Sequence, residues 1–263
     1  MPRWILNLLL PVIAGAAMVA VWYAVHAGLS ADYRFLLPSP GQVIGALHDN
    51  AAVLWHATLN TGAGALLGFS IATLLSIILA LGLSVSPLVR AGLYPYLMIL
   101  QMMPVIVIAP ILVLWVGPGL RSVTIITVLI CFFPLVVNTT QGLISTDQRQ
   151  VELFRMWRTS RWQQLTHLRL PSALPYFFTG MRIAAVLAPI GALVGDYTAG
   201  SSAGDGGGLG FQTIIYSSQA EYPALFATAA VTCVLGFVFT GAVVGLSWLA
   251  LHAWHDAYDR PDR

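Results

Sequence analysis

Six stretches of almost uninterrupted apolar residues run along the chain, at about residues 5–27, 58–85, 93–116, 122–143, 174–197 and 225–250. A helix rising 1.5 Å per residue needs about 20 such residues to cross roughly 30 Å of hydrocarbon. The pattern therefore predicts six membrane-spanning helices. Arg182 is the one basic residue inside any of them, and Asp196, close to the end of the fifth, is the one acid. The first stretch has a rival reading as a signal peptide with Arg3 as its positive end. Its run of more than 20 apolar residues, however, exceeds the roughly 7–15 of such a segment. Prolines sit inside the third span (Pro104, Pro110), the fourth (Pro134) and the fifth (Pro189). Each removes a backbone hydrogen bond and bends its helix, so three adjacent bent helices are predicted, as around a pathway.

The polar segments carry their own signals. After the first span, Ser39 is placed as an N-cap, Pro40 as the first helical residue and Gln42 as the reciprocal partner of a capping box, which predicts a short helix over 40–48. The longest and most polar segment, 146–171, places Val151, Phe154, Met156 and Trp157, then Trp162, Leu165 and Leu168, at helical spacing. Ser160 followed by Gln163 is a second capping box, so two short amphipathic helices are predicted, broken near 158–160, with Pro171 ending the second. Such helices suit either an anionic lipid surface or a groove on a partner; the break favours a partner, because a helix lying on lipid gains from continuity. The glycine-rich run 204–210 reads as a flexible linker, with contact to an outer partner as the second reading, and a helix is expected over 212–220.

Composition sharpens the class. Hydrophobic residues make up 58% of the 263 and charged residues 8%, against about 25% charged in a soluble domain. That excludes an ordinary soluble enzyme and a disordered chain. The net charge of +2 comes with no basic run to track phosphates, so nucleic acid is excluded as a partner. Lysine is absent and all 12 basic residues are arginine, which removes a Walker P-loop and a lysine Schiff base. Any ATP used must be bound by another chain. Cys131 and Cys233 lie in apolar runs and form no disulfide framework, and the close pair His252 and His255 lacks a matching carboxylate, so no metal site is expected.

Arginine placement sets orientation. With the N-terminus inside, the inner segments hold Arg3, Arg90, Arg149, Arg155, Arg158, Arg161, Arg169, Arg260 and Arg263, and the outer ones only Arg34 and Arg121. Asp32, Asp49, Asp205 and Glu221 fall outside. Both termini and the 146–171 segment are therefore expected in the cytoplasm. The fold class is all-α integral membrane, a single domain over 1–263 with its core at about 54–250.

The long polar segment also carries a resemblance. Glu152-Leu153-Phe154-Arg155, Ser160-Arg161-Trp162-Gln163 and Leu170-Pro171-Ser172-Ala173-Leu174-Pro175 resemble the "EAA" loop of the permease subunits of binding-protein-dependent ABC importers. Leu37-Pro38-Ser39-Pro40 with Val43 is similar to the outer element of the nitrate/sulfonate/taurine branch. Ala109-Pro110, Leu114 to Gly119, Phe132-Phe133-Pro134, Asn138-Thr139 and Gly142-Leu143 resemble that branch's third and fourth spans. Two departures stand out. The motif glycine is Arg158 here, where glycine would serve a left-handed helix end, and the two alanines are the bulkier Leu153 and Phe154.

The resemblance implies a type I importer-like permease in the bacterial inner membrane, with no covalent chemistry of its own. It further implies a second copy of the chain and two copies of a cytoplasmic ATP-binding subunit that binds ATP and Mg. A solute-binding protein would serve the outer face, with lipid around the bundle. In that frame Glu152, Phe154, Arg155, Trp157, Arg158, Ser160, Arg161 and Trp162 form the docking surface, the two tryptophans being its apolar anchors. Candidate pathway residues are Gln101, Met102 and Met103, Asn138, Thr139 and Thr140, and Met181 and Arg182. Arg182 is also placed to snorkel to a headgroup, and Asp196 reads as a solvated loop acid or as an answer to a positive group on the binding protein. The expected cargo is a sulfonate- or nitrate-like anion or a heteroaromatic vitamin precursor. The rival functions are a passive channel and an intramembrane enzyme; no carboxylate pair or metal set in the spans supports the latter.

Overall fold

The computed structural model describes residues 3–200 and 207–251; the expectations for Asp205, His252, His255, Arg260 and Arg263 lie outside the described residues. In chain order the helices are α1 (Arg3–Gly28), α2 (Pro40–Asp49), α3 (Ala51–Val85), α4 (Pro87–Met102), α5 (Val105–Val116), α6 (Leu120–Ile144), α7 (Gln148–Met156), α8 (Arg161–Gln164), α9 (Leu170–Ala199), α10 (Leu209–Ser218) and α11 (Tyr222–Leu251). Among the described residues there is no strand. Five helical stretches are long and apolar enough to cross a membrane, and α4 with α5 makes a sixth if that bent pair is one span.

The centre is a trio of α3, α6 and α9, in which α3 and α6 run in the same direction and α9 runs antiparallel to both, with α11 against α9. Lipid tails are as apolar as leucine, so helices associate in a bilayer through close backbone approach and van der Waals contact. The sequence provides for this with small residues. Ala65, Gly68 and Ala72 of α3, and Ala184, Ala185, Ala188 and Ala192 of α9, are buried at the contact with α6 around Val123, Cys131 and Leu135. At Gly195 of α9 a Cβ would sit 2.8 Å from Val123 Cα, so only glycine lets the two backbones come together there. Helix α1 is held at one end. Trp22 Nε1 donates to Pro38 O at 3.0 Å, His26 Nδ1 donates to Leu37 O at 2.7 Å, and the Trp22 ring lies 5.9 Å from that of Phe226.

The capping box before α2 forms as its sequence predicts: Ser39 N donates to Gln42 Oε1 at 2.8 Å and Gln42 N to Ser39 Oγ at 3.3 Å. Two expectations are corrected. The third apolar stretch is not one bent helix. It breaks between α4 and α5 with a 93° turn, because Met103 is extended (φ −65°, ψ 127°) as a residue before proline is driven to be, and Pro104 has no N–H to carry the ladder on. Pro110, Pro134 and Pro189, by contrast, sit inside unbroken helices. Nor does Pro171 end a helix. Residues 165–169 form a π-turn in which Leu170 N donates to Leu165 O. That wider turn delivers Pro171 into the first turn of α9, where a missing N–H is tolerated. Helical backbone therefore runs without a loop from Arg161 to Ala199, 39 residues. The helix expected over 212–220 occupies Leu209–Ser218.

Candidate functional site

The arginine-rich hairpin, α7 to α8, projects from one end of the bundle. Asp147 caps α7 by accepting from Arg149 N at 3.0 Å, and Val151 is buried beneath it. At the other end of α7, Arg158 N donates to Arg155 O at 2.9 Å and Thr159 N to Phe154 O at 3.2 Å. This pair is a Schellman closure, and it needs a left-handed residue at 158. Arg158 has φ +53°, so the conformation expected of the motif glycine is kept by a residue that favours it less. Thr159 Oγ1 also donates to Phe154 O at 2.8 Å, and Gln164 Nε2 reaches Thr159 O at 3.3 Å, tying the second limb to the first. Ser160 and Gln163 complete their capping box, Ser160 N to Gln163 Oε1 at 2.8 Å and Gln163 N to Ser160 Oγ at 3.2 Å.

This local framework presents the predicted docking residues together. Glu152, Arg155, Arg158, Ser160 and Arg161 are exposed and Phe154 is half-buried, its ring 6.5 Å from that of Trp157. Trp157 is 70% exposed and Trp162 71%. Two exposed indoles thus stand among charged residues on the most polar segment of the chain, the kind of side chain that anchors an interaction site.

The intramembrane candidates are not gathered in this way. Gln101, Met102 and Met103 are exposed at the α4–α5 break. Asn138 donates from Nδ2 to Pro134 O at 2.8 Å within α6 and lies against Gly180 of α9. Thr139 and Thr140 are buried, and their hydroxyls have no partner among the described residues. Met181 packs on the edge of the main core. Arg182 faces α11, donating from Nε and Nη2 to the buried Ser247 Oγ at 3.0 and 2.6 Å. The half-buried guanidinium is thus engaged with α11.

Sequence reasoning missed a knot at the opposite end of the bundle. Asp196 is 4% exposed, neither a solvated loop acid nor available to a partner. Thr61 Oγ1 of α3 donates to Asp196 Oδ2 and accepts from Leu209 N at 2.8 Å; Gly210 N donates to the same carboxylate. A side chain at Gly208 would overlap that carboxylate, and Asn60 Nδ2 donates to Gly207 O at 3.0 Å. Glycines 207, 208 and 210 are therefore pinned rather than a free linker; positions 204–206 of the expected linker lie outside the described residues. The signal was present in a lone acid at the end of an apolar span followed by Gly207-Gly208-Leu209-Gly210. Nearby, Tyr216 OH donates to Asn50 Oδ1 at 3.3 Å; burial first, then the Glu221 carboxylate, raises its pKa and keeps it a neutral donor.

Comparison with known proteins decides among the readings. A family model described as the inner membrane component of binding-protein-dependent transport systems matches residues 72–257. The chain belongs to this family. It is 36% identical over 222 residues to a probable ABC transporter permease protein of Haemophilus influenzae, covering 84% of this chain and 88% of that protein. It is 35% identical over 218 residues to the formylaminopyrimidine transport permease protein of Halalkalibacterium halodurans, with 82% and 85% covered. It is 32% identical over 229 residues to the riboflavin transport system permease protein of Chloroflexus aurantiacus, with 85% and 84% covered. At 26–30% identity the matches extend to permeases named for aliphatic sulfonates, taurine and nitrate, the branch whose motifs the chain resembles. This permease is thus an inner-membrane subunit of an ABC importer and not an enzyme; the channel and intramembrane-enzyme readings fall away. Being binding-protein-dependent, such a system also includes solute-binding and ATP-binding partners.

Proposed function

We propose that this permease works as a pair, each copy a single domain with six spans, its termini and hairpin in the cytoplasm. The nine-against-two arginine asymmetry supports that orientation. A separate ATP-binding subunit binds ATP and Mg, hydrolyses the nucleotide and grips each hairpin; no nucleotide chemistry falls to this chain. The observation that carries the docking assignment is the pair of exposed indoles, Trp157 and Trp162, on a hairpin locked by its own hydrogen bonds. Glu152, Arg158 and Arg161 supply the charged rim. A solute-binding protein delivers cargo at the Asp196 end, and lipid covers the exposed apolar faces of α1, α4 and α5.

For the pathway we assign Gln101, Met102, Met103, Asn138, Thr139 and Arg182. The cargo proposed is a nitrogen-containing heteroaromatic solute. Relatives named for formylaminopyrimidine and riboflavin stand at 35% and 32% identity, above the 26–30% of those named for sulfonates, taurine and nitrate.

The test is reconstitution in proteoliposomes with the partner subunits and a loaded binding protein. Interface anchors contribute about 2 kcal/mol or more when truncated, roughly 30-fold in binding. Trp157→Ala is therefore expected to leave ATP hydrolysis unresponsive to the loaded binding protein and to cut transport by about tenfold or more. Unchanged transport in the Trp157→Ala/Trp162→Ala double variant refutes the docking surface.

A further inference from the structure

At the hairpin end, the ends of α3 and α6, the start of α4 and one face of α7 enclose a recess of about 290 Å³. Three arginines line it, Arg90 on α4, Arg155 on α7 and Arg169 in the π-turn, and no acidic residue does. Among the described residues none of the three makes an ion pair or donates a hydrogen bond. Of the two acids on this segment, Asp147 is engaged as the cap of α7, and neither it nor Glu152, three residues before Arg155, lines the recess. Like charges gathered in one cleft repel and focus a positive potential on it, so the folded chain gains from an anion there.

A second observation points the same way. Thr146 lines the recess, is 9% exposed, and its Oγ1 has no hydrogen-bond partner among the described residues. Buried hydroxyls are seldom left so, because the desolvation is uncompensated; rotation of the Thr146 side chain about χ1 toward the recess lets a phosphate oxygen beside the arginines accept from it.

The shape of the surroundings narrows the anion. A further cavity of about 420 Å³ opens between α4 and α6 and shares Pro87, Arg90 and Ile144 with the first. Ala91, Tyr94 and Pro95 form its α4 wall, and the outer surface of α4 exposes Leu88, Leu93 and Tyr96. An arginine recess thus continues into a groove along an apolar helix. A free inorganic anion has no use for the groove, whereas a molecule with a charged head and a hydrocarbon tail fills both.

We propose that this is a binding site for an anionic phospholipid of the leaflet at the hairpin end. Arg90, Arg155, Arg169 and Thr146 Oγ1 hold the phosphate, and an acyl chain lies in the α4–α6 groove. Basic pockets between membrane helices take such headgroups. The lipid ties α4, α6, α7 and the π-turn together at the root of the hairpin, and so stiffens the segment that the transport reading gives to the ATP-binding partner. The site goes beyond that reading and does not require it.

The test is native mass spectrometry of the full chain in detergent, titrated with dioleoylphosphatidylglycerol or dioleoylphosphatidylcholine. The wild-type chain is expected to retain the anionic lipid preferentially. At about 1 kcal/mol per arginine, Arg169→Gln weakens that retention about fivefold, and Arg90→Gln/Arg155→Gln/Arg169→Gln on the order of a hundredfold. Thr146→Val weakens it while leaving the lipid-free unfolding midpoint in place, which separates lost binding from lost folding. Arg149→Gln, exposed on α7 and outside the recess, retains it. Equal retention of the two lipids, equal loss in Arg149→Gln and Arg169→Gln, or full displacement of phosphatidylglycerol by inorganic phosphate overturns the proposal. Because the readout is adduct formation by this chain alone, its failure leaves the transport assignment untouched, and loss of coupling in the tryptophan variants leaves the lipid site untouched.

Discussion

Arg158 holds a left-handed backbone angle, φ +53°, that costs a residue with a Cβ about 1–2 kcal/mol. The surrounding bonds, from Arg158 N, Thr159 N and Thr159 Oγ1, impose it. Arg158→Gly relieves about 1 kcal/mol of that strain, offset in part by the freedom glycine gains when unfolded. It is expected to keep or slightly raise the thermal unfolding midpoint in detergent. Arg158→Val, β-branched where φ is positive, is expected to lower it; a midpoint for valine above that for glycine contradicts the closure described. Thr61 is the second single residue on which much depends. Thr61→Val removes the donor to Asp196 and the acceptor for Leu209 N at once. Buried polar groups left unpaired cost about 1–3 kcal/mol each, so the midpoint should fall clearly, with Thr61→Ser close to wild type. If valine is as stable as threonine, the knot is not holding α10 in place.

At the scale of elements, the parts legible in the sequence are those governed by neighbours within a few residues. Both capping boxes, Ser39 with Gln42 and Ser160 with Gln163, form as written, and the break at 158–160 falls where the second box begins. Proline effects were read less well because they depend on how the ladder around them yields. Pro134 and Pro189 are absorbed into continuous helices, Pro104 breaks its span outright, and Pro171 is admitted to a helix by a π-turn that no residue pattern announced. Asp196 was misread for a different reason: its burial depends on Thr61, 135 positions away, and on Gly208 and Gly210 folding back over it. The docking candidates are neighbours on one short hairpin, exposed apart from the half-buried Phe154; the pathway candidates depend on tertiary packing and divide between exposed positions at the end of α4 and buried or half-buried ones on α6 and α9. Helix contact makes its own prediction. Gly195 lies where a Cβ would approach Val123 Cα to 2.8 Å, and overpacking costs about 1–3 kcal/mol or more. Gly195→Val should part α9 from α6 and sharply reduce folded, extractable protein; wild-type yield and midpoint would show the contact to be loose.

For the whole molecule, orientation is the property on which the proposed division of labour turns. With the exposed Cys233 replaced by serine and the buried Cys131 left in place, Gln150→Cys on the exposed face of α7 is expected to react with a membrane-permeant maleimide in whole cells and to resist an impermeant one. Reaction with the impermeant reagent would place the hairpin outside and remove it from the reach of any cytoplasmic motor.

The unbroken helical path from Arg161 to Ala199 has a mechanical corollary. At 1.5 Å per residue it is a strut of roughly 58 Å, with Trp162 near one tip and Asp196 near the other, packed against α6 from Ala173 to Gly195. A strut so held needs no relay of loops. If a motor subunit displaces the tryptophan tip, α9 and α6 shift as a pair and the displacement reaches the grip of Thr61 and Asp196 on α10. Stroke and response would then belong to one movement, with the π-turn at the root of the hairpin as a compliant joint.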